Sequence, residues 1–547
     1  MGLLFFNSYT DVYFMAFKSL INSLKNYPLT HLPTLALGIG TVVFWLELYF
    51  IRLPFGNTSV LAWGLFTLLI LAIIFSRSWT LKSEYWQGFF IEKSLVLKVV
   101  FALGFLLGLI YLGVGLYASL LPPHLTQEND ALMYHLTLPR QHLLRHSFAH
   151  IPWSVPDLFL LPLDYALSPF ELCTTLPNKF IQFIFFVASL GCVFRLVYIY
   201  SANSSSRVWV VVGAVMACHA VAIQVGLAML DLVMLYCFLA FIHSLFLSRW
   251  ALAAVEFAFF FWSKSFIPFQ ISVIGVILGI ILWIALKRAF HLFEIPTITE
   301  KARRTLITTF IVVSLGVALP HLIKSYYYTG TPFYPFGVGV LTPLVKSTPD
   351  HWQAILQRAA DCMNEKNVYG HGRSWAAFIK HFWLIAVPEK GVNNAFDYPV
   401  GLMYILVLLP FGGHVVNSLK SKRMPVLSLI VILFWLTWWF GSQQSRFLLV
   451  PVSLMIILTI SSLPRLSRVL VILVVLLLGV ETISLINAHR HDWGKPYLLL
   501  LRDQDKEILK LKPTGLKSEV IFNFPDVAYA RFPVVVNQNN SCYVLSH

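Results

Sequence analysis

The stretch "LTQENDALMYHLTLPRQHLLRHSF", Leu125 to Phe148, sets Glu128, Asp130, His135, Arg140, His142, Arg145 and His146 directly after an apolar run, 96–121. That run exceeds the about 20 residues that an α-helix needs to cross a hydrocarbon core. Ionisable groups at such an edge have two readings. They are charges of a solvated loop, helix-capping Asp included, or carboxylates aimed into a cavity, where one can take a proton or hold a cation. Leu132, Tyr134, Leu136, Leu138 and Leu143 fit a helix lying along the interface and broken near Pro139. Arg140, His142, Arg145 and His146 then form its solvated or headgroup-facing side.

The rest of the chain makes lipid the expected solvent. Its 547 residues include only 12% charged ones, against about a quarter in soluble domains, and the mean hydropathy is +0.74. Apolar segments of spanning length or near it run roughly 34–52, 59–76, 96–121, 177–200, 208–226, 229–247, 250–264, 266–286, 305–323, 399–417, 425–441, 446–463 and 467–487. The fold class is thus an all-α polytopic membrane protein with about 11–13 transmembrane helices. The least regular pair, 250–286, is interrupted by Ser263, Lys264 and Ser265. No internal repeat is evident.

The net charge of +15 follows the placement of Lys and Arg in membrane proteins and does not call for a nucleic-acid partner. With a cytoplasmic N-terminus and 13 spans, the inside loops hold Arg77, Lys82, Lys93, Arg207, Arg249, Lys287, Arg288, Lys301, Arg303, Arg304, Lys420, Lys422, Arg423, Arg465 and Arg468. Residues 1–33 read as an interfacial cytoplasmic segment, since they lack the short apolar core and cleavage site of a signal peptide. The membrane domain covers 34–487. Outer loops 122–176 and 324–398 face away from the cytoplasm, as does a small tail domain, 488–547, whose "EVIFNF" and "FPVVV" read as strands. Cys192, Cys218 and Cys237 lie in apolar runs and behave as small hydrophobes. Cys173, Cys362 and Cys542 lie in connecting segments, and Cys362 and Cys542 face outward, where a bond between them is chemically allowed.

Further charges gather on the same outer side: Asp231 in "AMLDLVMLYCF", Lys264 in "FFFWSKSFIPF", Lys324 before "SYYYTGTPFYPFG" and Arg446 in "FGSQQSRFLLVP". Each alone reads equally as a snorkelling or anchoring side chain. Acids and bases on one face also suit a phosphate-bearing ligand handled beside carboxylates.

The order of these motifs carries a resemblance. "NDALMYHLTLPRQHLLRHSF" resembles the D-(x)3-YH-L-x-LP pattern in the first outer loop of type C (GT-C) membrane glycosyltransferases, particularly bacterial relatives of the protein mannosyltransferase and aminoarabinose transferase group. "KSYYYTGTPFYPFG" is similar to their R-x-x-x-x-TGNP-x-YP run, with Lys324 in place of Arg and Thr331 in place of Asn. "WSKSF" and "QQSRFLLVP" are similar to their TK-x-(T/S) and Q-x-RYLLP segments. The four occur in the family's order over roughly residues 96–465; the first two spans and the tail have no counterpart.

The resemblance implies an enzyme of the cell envelope, expected in the bacterial inner membrane with its active site facing outward. It would move a sugar, with inversion, from a polyprenyl-phosphate donor to a lipid, glycan or protein acceptor. Asp130 is then the expected general base. Tyr134 and His135 belong to the substrate-binding motif. Arg446, Lys264 and Lys324 are the cations available to the departing phosphate, with Arg446 favoured for bidentate contact. Glu128 reads as a solvated side chain or as a second catalytic acid; some relatives pair two acids around a divalent cation. Mg²⁺ or Mn²⁺ on Asp130, Glu128 and Asp231 would suit a hard ion's preference for oxygen.

Other classes compete with this reading. A transporter or flippase of lipid-linked sugars needs charges among its spans, commonly with inverted repeats and interrupted helices near the midplane. A lipid-linked oligosaccharide polymerase or ligase would use a large outer loop, and 324–398 carries Arg358, His371 and Arg373.

Overall fold

The computed structural model describes residues 27–53, 57–75, 95–121, 131–151, 155–171, 179–201, 205–263, 273–275, 277, 299–334, 372, 374–387, 396, 398–421, 425–440, 443–463, 466–489, 520–522 and 534–536. Glu128, Asp130, Lys264, Arg358, Cys362, His371, Arg373, Cys542, most of the expected span 266–286 and nearly all of the tail lie outside them.

The chain is a polytopic α-helical membrane protein. Among the described residues, eight helices are long and apolar enough to cross a bilayer. They are Leu29–Ile51, which contains α1 (Leu32–Leu46), and α2 (Asn57–Phe75), α3 (Leu95–Ser119), α6 (Phe180–Tyr200), α11 (Glu300–Thr329), α13 (Leu402–Lys420), the segment Ser445–Ser462 containing α15 (Leu449–Ser462), and α16 (Arg468–His489). Two short helices, α4 (Thr137–Arg145) and α5 (Pro162–Glu171), lie between α3 and α6, and α12 (Trp375–Leu384) precedes α13. In the tail, β1 (Val520–Phe522) pairs antiparallel with β2 (Val534–Val536), in register Val520 opposite Val536. These are the two runs expected to form strands.

Four apolar helices are shorter: α7 (Ser205–Met216), α9 (Asp231–Phe246), α10 (Trp250–Phe261) and α14 (Val426–Phe440). At 1.5 Å per residue they reach about 18–24 Å, short of a hydrocarbon core of about 30 Å. Basic residues lie near one end of each: Arg207 within α7, Arg249 between α9 and α10, and Lys420 and Arg423 before α14. After Met216 of α7 the chain is non-helical at Ala217 and Cys218. Such chain is tolerated within a membrane only where protein satisfies its backbone.

The expected span 208–226 shows how. Its helix stops at Met216, turns through Cys218, and resumes only as α8 (His219–Ala222). The freed groups meet the segment before α13: Ala220 N donates to Val400 O at 3.3 Å, and Cys218 Sγ lies 3.3 Å from the same carbonyl. Gly401 makes this approach possible. Its φ is +103°, and a Cβ there would lie 2.8 Å from His219 N.

The first outer loop also differs from expectation. Residues 131–135 form a single π-helical turn, and α4 runs through Pro139 rather than breaking at it. Pro139 occupies the first helical turn, where backbone N–H groups have no intrahelical partner to lose. Nor does α4 lie on the membrane surface with a solvated face. Thr137 to Leu143 are buried, Arg140 and His142 included; only Arg145 is exposed. Ion pairing with more distant segments overrides the expected amphipathic pattern.

Candidate functional site

The segment between α3 and α6 folds against the C-terminal end of α11 around one carboxylate. Asp157 sits in a short 3₁₀ turn, Val155–Leu158, and is fully buried. Lys324 Nζ donates to Asp157 Oδ1 at 2.6 Å, and His142 Nε2 lies 2.6 Å from the same oxygen and 2.9 Å from Lys324 Nζ. The other oxygen, Oδ2, accepts from Ile151 N at 2.7 Å and faces His150 Nδ1 at 3.0 Å. Ser147 O is 2.7 Å from His142 Nδ1, which fixes that ring. The Lys324 ammonium stands 4.3 Å from the centroid of Phe148, within cation–π range. Burial disfavours the Asp157 anion, yet the charges of His142 and Lys324 and the bonds from His142 and His150 outweigh it, holding the carboxyl well below its usual range. His150 is pushed down, chiefly by burial.

Apolar packing joins the same segments. Leu138 and Leu143 of α4, Phe44 and Leu48 at the end of the first span, Leu158, Tyr165 and Tyr334 form one cluster, with Tyr134 and Tyr328 packed on it. The described parts of the two runs that resemble family motifs, 131–148 and 324–334, therefore meet in space. Gly330, at φ +72°, ends α11 in a left-handed turn, and Thr331 O accepts from Ser325 and Thr329. This bend turns Tyr334 back onto the first loop.

The start of the first motif is held by a second pair. His135 Nδ1 lies 2.6 Å from Asp164 Oδ1 of α5, with both groups buried, and the Tyr134 ring is 4.3 Å from the His135 ring. Ala131 and Leu136 then close a small buried cluster with Ala228. The residue after Asp130 is thus placed beside the turn that leads into Asp231, the fully buried first residue of α9.

Further polar residues lie at the ends of the short helices. Asp231 opens α9, and buried Ser263 follows α10 and precedes Lys264. Gln443 to Arg446 turn from α14 into the next span. Arg446 is half-buried, and its Nε donates to Gln444 Oε1 at 2.9 Å. Part of the second outer loop packs over the turn: Ser445 N donates to Phe396 O at 2.9 Å, Val400 N to Ile385 O at 2.7 Å, and His381 Nε2 lies 2.9 Å from Gln443 Oε1. Tyr134, His135 and Lys324 are brought together by the first loop. Asp231 meets that loop through Ala228. The bonds seen for Arg446 share no residue with those of Lys324.

At the opposite end, a buried polar network ties the first span to α9 and α10. His31 Nδ1 contacts Glu256 Oε1, and His31 Nε2 is 2.7 Å from His243 Nδ1. Ser244 and Thr34 donate to Glu256 at 2.7 and 3.1 Å. Its hydrogen bonding is that of a structural joint.

Sequence reasoning missed Asp157, Asp164 and His150. A signal existed in "HIPWSVPD" and "LPLDY": acids set among Pro and apolar residues, where a purely solvated loop would carry polar neighbours. Among the described residues, no group of three or more His, Cys, Asp or Glu is arranged to hold a metal ion. The cation enclosed by Asp157 and His142 is the Lys324 ammonium. Of the acids considered for a divalent ion, Asp231 is within the described residues, while Glu128 and Asp130 are outside them.

Fold and geometry thus define a polytopic membrane protein with a buried polar cluster of Asp157, His142, His150 and Lys324. Comparison of the chain with known protein families, with curated proteins and with solved structures finds no match.

Proposed function

We propose that the chain is a membrane glycosyltransferase of GT-C type, transferring a sugar from a polyprenyl-phosphate donor to an acceptor at an outward-facing site. The observation that carries the reading is the buried cluster of Ala131, Leu136 and Ala228. It couples the motif that begins at Asp130 to the turn before Asp231, about a hundred residues away in sequence. In this reading Asp130 takes the proton of the acceptor hydroxyl or amine as it attacks the anomeric carbon. The carbon–phosphate oxygen bond breaks with inversion, and Arg446 and Lys264 stabilise the charge that grows on the departing phosphate. Lys324, already paired with Asp157, acts by positioning the loop. Tyr134 and His135 line the sugar's side, and Glu128 is the second acid. Should Mg²⁺ or Mn²⁺ take part, Asp130, Glu128 and Asp231 supply the hard oxygen donors it prefers.

A site at the membrane edge suits a donor whose prenyl tail stays in lipid while its phosphate reaches protein. The test supplies purified, reconstituted protein with a panel of radiolabelled polyprenyl-phosphate sugars and envelope acceptors. The reading expects one donor to lose its label to acceptor and release polyprenyl phosphate. Movement of intact lipid across the bilayer without cleavage would instead identify a flippase, and transfer of a whole oligosaccharide a ligase.

A further inference from the structure

The run "SWAAFIKHFWL", Ser374 to Leu384, forms α12 behind an N-cap in which Ser374 Oγ accepts from Ala377 N at 3.2 Å. Large apolar side chains occupy both sides of this helix, and among the described residues one side meets protein. Ala377 and His381 are buried there, with Phe378 and Phe382 half-buried. The His381 ring packs edge-on against Trp439, ring centroids 4.4 Å apart, and its Nε2 lies 2.9 Å from Gln443 Oε1. Phe378 meets Trp439 at 5.0 Å between centroids, and Phe382 stacks on Trp435 at 5.7 Å. On the other side, Trp375, Ile379 and Trp383 recur every four residues, a spacing that keeps them on one face. They are 82, 72 and 59% exposed.

Ring contacts fix the level of this stripe. Going forward along α12 from Phe378 to Phe382 goes back along α14 from Trp439 to Trp435, so the two helices run in opposite directions where they touch. Tyr404, in the first turn of α13, stacks on the same Trp435 ring at 5.5 Å. Phe382 and Trp383 therefore stand level with the start of a membrane span. That span exposes Leu402, Leu409 and Val416, whose seven-residue spacing marks a lipid-facing side. Trp375 lies about 12 Å from Trp383 along the helix. α12 carries no carboxylate, and its one lysine, Lys380, is exposed beside the stripe. Tryptophan at both ends of an apolar stripe, with a cation on its flank, is the composition of a helix that lies at the boundary of headgroups and acyl chains. The stem of the lysine lets its ammonium reach the phosphates.

We propose that Trp375, Ile379 and Trp383 form an interfacial anchor, inserted at the headgroup–acyl boundary of the bilayer with Lys380 at the lipid phosphates. The opposite face of α12 contacts Gln443 through His381, and Ile385 O accepts from Val400 N at 2.7 Å. The lipid surface thus holds both the segment before α13 and the turn that leads to Arg446. The anchor does not depend on the proposed transfer reaction.

Photo-crosslinking of the full chain in nanodiscs of phosphatidylcholine and phosphatidylglycerol tests this. p-Benzoylphenylalanine replaces Trp375, Ile379 or Trp383 in turn, and the mass of the peptide spanning α12 is read after irradiation. Phospholipid should be the main adduct at each position. Adducts chiefly to a second copy or to other residues of this chain would overturn the proposal, as would a peptide left unmodified. Depth is read separately, by quenching of tryptophan emission with phosphatidylcholine brominated near the glycerol or near the chain methyl. The difference between wild type and the Trp375→Phe, Trp383→Phe double variant isolates these two among 16 tryptophans. The shallow bromine should quench that difference more than the deep one. Equal quenching, stronger deep quenching or none would overturn an interfacial position. The exposed side chains replaced here pack on little protein, so melting should stay near wild type; should one set of variants misfold, the other measurement decides alone.

Discussion

Lys324 Nζ and Asp157 Oδ1 lie 2.6 Å apart, joining residues 167 positions distant in the chain in a setting where both side chains are buried. The pair is the fastener between the end of α11 and the first outer loop. His142 and His150 gather on the same carboxylate, so the position of 131–151 depends on it.

Breaking that fastener on one side leaves a buried charge without its counterpart. Lys324→Met or Asp157→Asn is expected to destabilise the protein by about 3–5 kcal/mol. The double variant should recover part of the loss, because both charges then leave the interior together. Thermal melting of the four proteins in one detergent checks this; additive losses would contradict it.

Acid should loosen the loop in two stages. His150 has its folded pKa pushed below the usual value, so its contribution is intact above about pH 6.5 and is lost as pH falls below that toward the folded pKa. Asp157 is held well below its usual range; its contribution is present above about pH 3.9 and is lost as pH falls through the folded value. Melting temperature should therefore decline from neutrality downward. His150→Gln should flatten the upper stage and leave the lower one.

Gly401 is a geometric requirement. Gly401→Ala places a Cβ 2.8 Å from His219 N at a φ of +103°, a strain on the order of 1–3 kcal/mol before any clash is counted. The variant should melt earlier and lose transfer, since Val400 and Phe396 accept from Ala220 N and Ser445 N and so buttress the turns before α8 and before Arg446. Unchanged melting and turnover would count against the role given to this contact.

His135→Ala should lower both kcat and melting temperature, because the His135–Asp164 bond at 2.6 Å orients the segment next to Asp130 and its loss leaves buried Asp164 without that partner. Asp164→Asn should produce a milder version of the same defect. Arg446→Lys should reduce kcat/KM by about 10–100-fold, the cost of losing charge-assisted bonds to phosphate. The readout is steady-state kinetics with the donor found in the labelled-sugar panel.

Much of the membrane architecture was legible in the sequence, because the length of an apolar run is a local property. The tail's strand pair was legible too, from its short β-branched runs. The break after Met216 was not. It depends on Val400 and Gly401, nearly two hundred residues away, supplying bonds that a continuous apolar run conceals. The burial of Arg140 and His142 was hidden for a similar reason. Their polarity reads as solvated until Asp157, Asp164 and Lys324 are seen to converge on the same loop. The contact between 131–148 and 324–334 was not legible either, because the carboxylate that fastens them, Asp157, lies outside both motifs.

The central claim is that Asp130 is the base in an outward-facing transfer reaction, and its most direct measurement is the turnover of Asp130→Asn. Purified wild-type and variant protein, matched for melting temperature and reconstituted equally, are given the same labelled polyprenyl-phosphate sugar and acceptor. The account predicts that transfer falls by about 10²–10⁴-fold, the range for losing a positioned general base, while donor binding persists. A variant that transfers at the wild-type rate contradicts it.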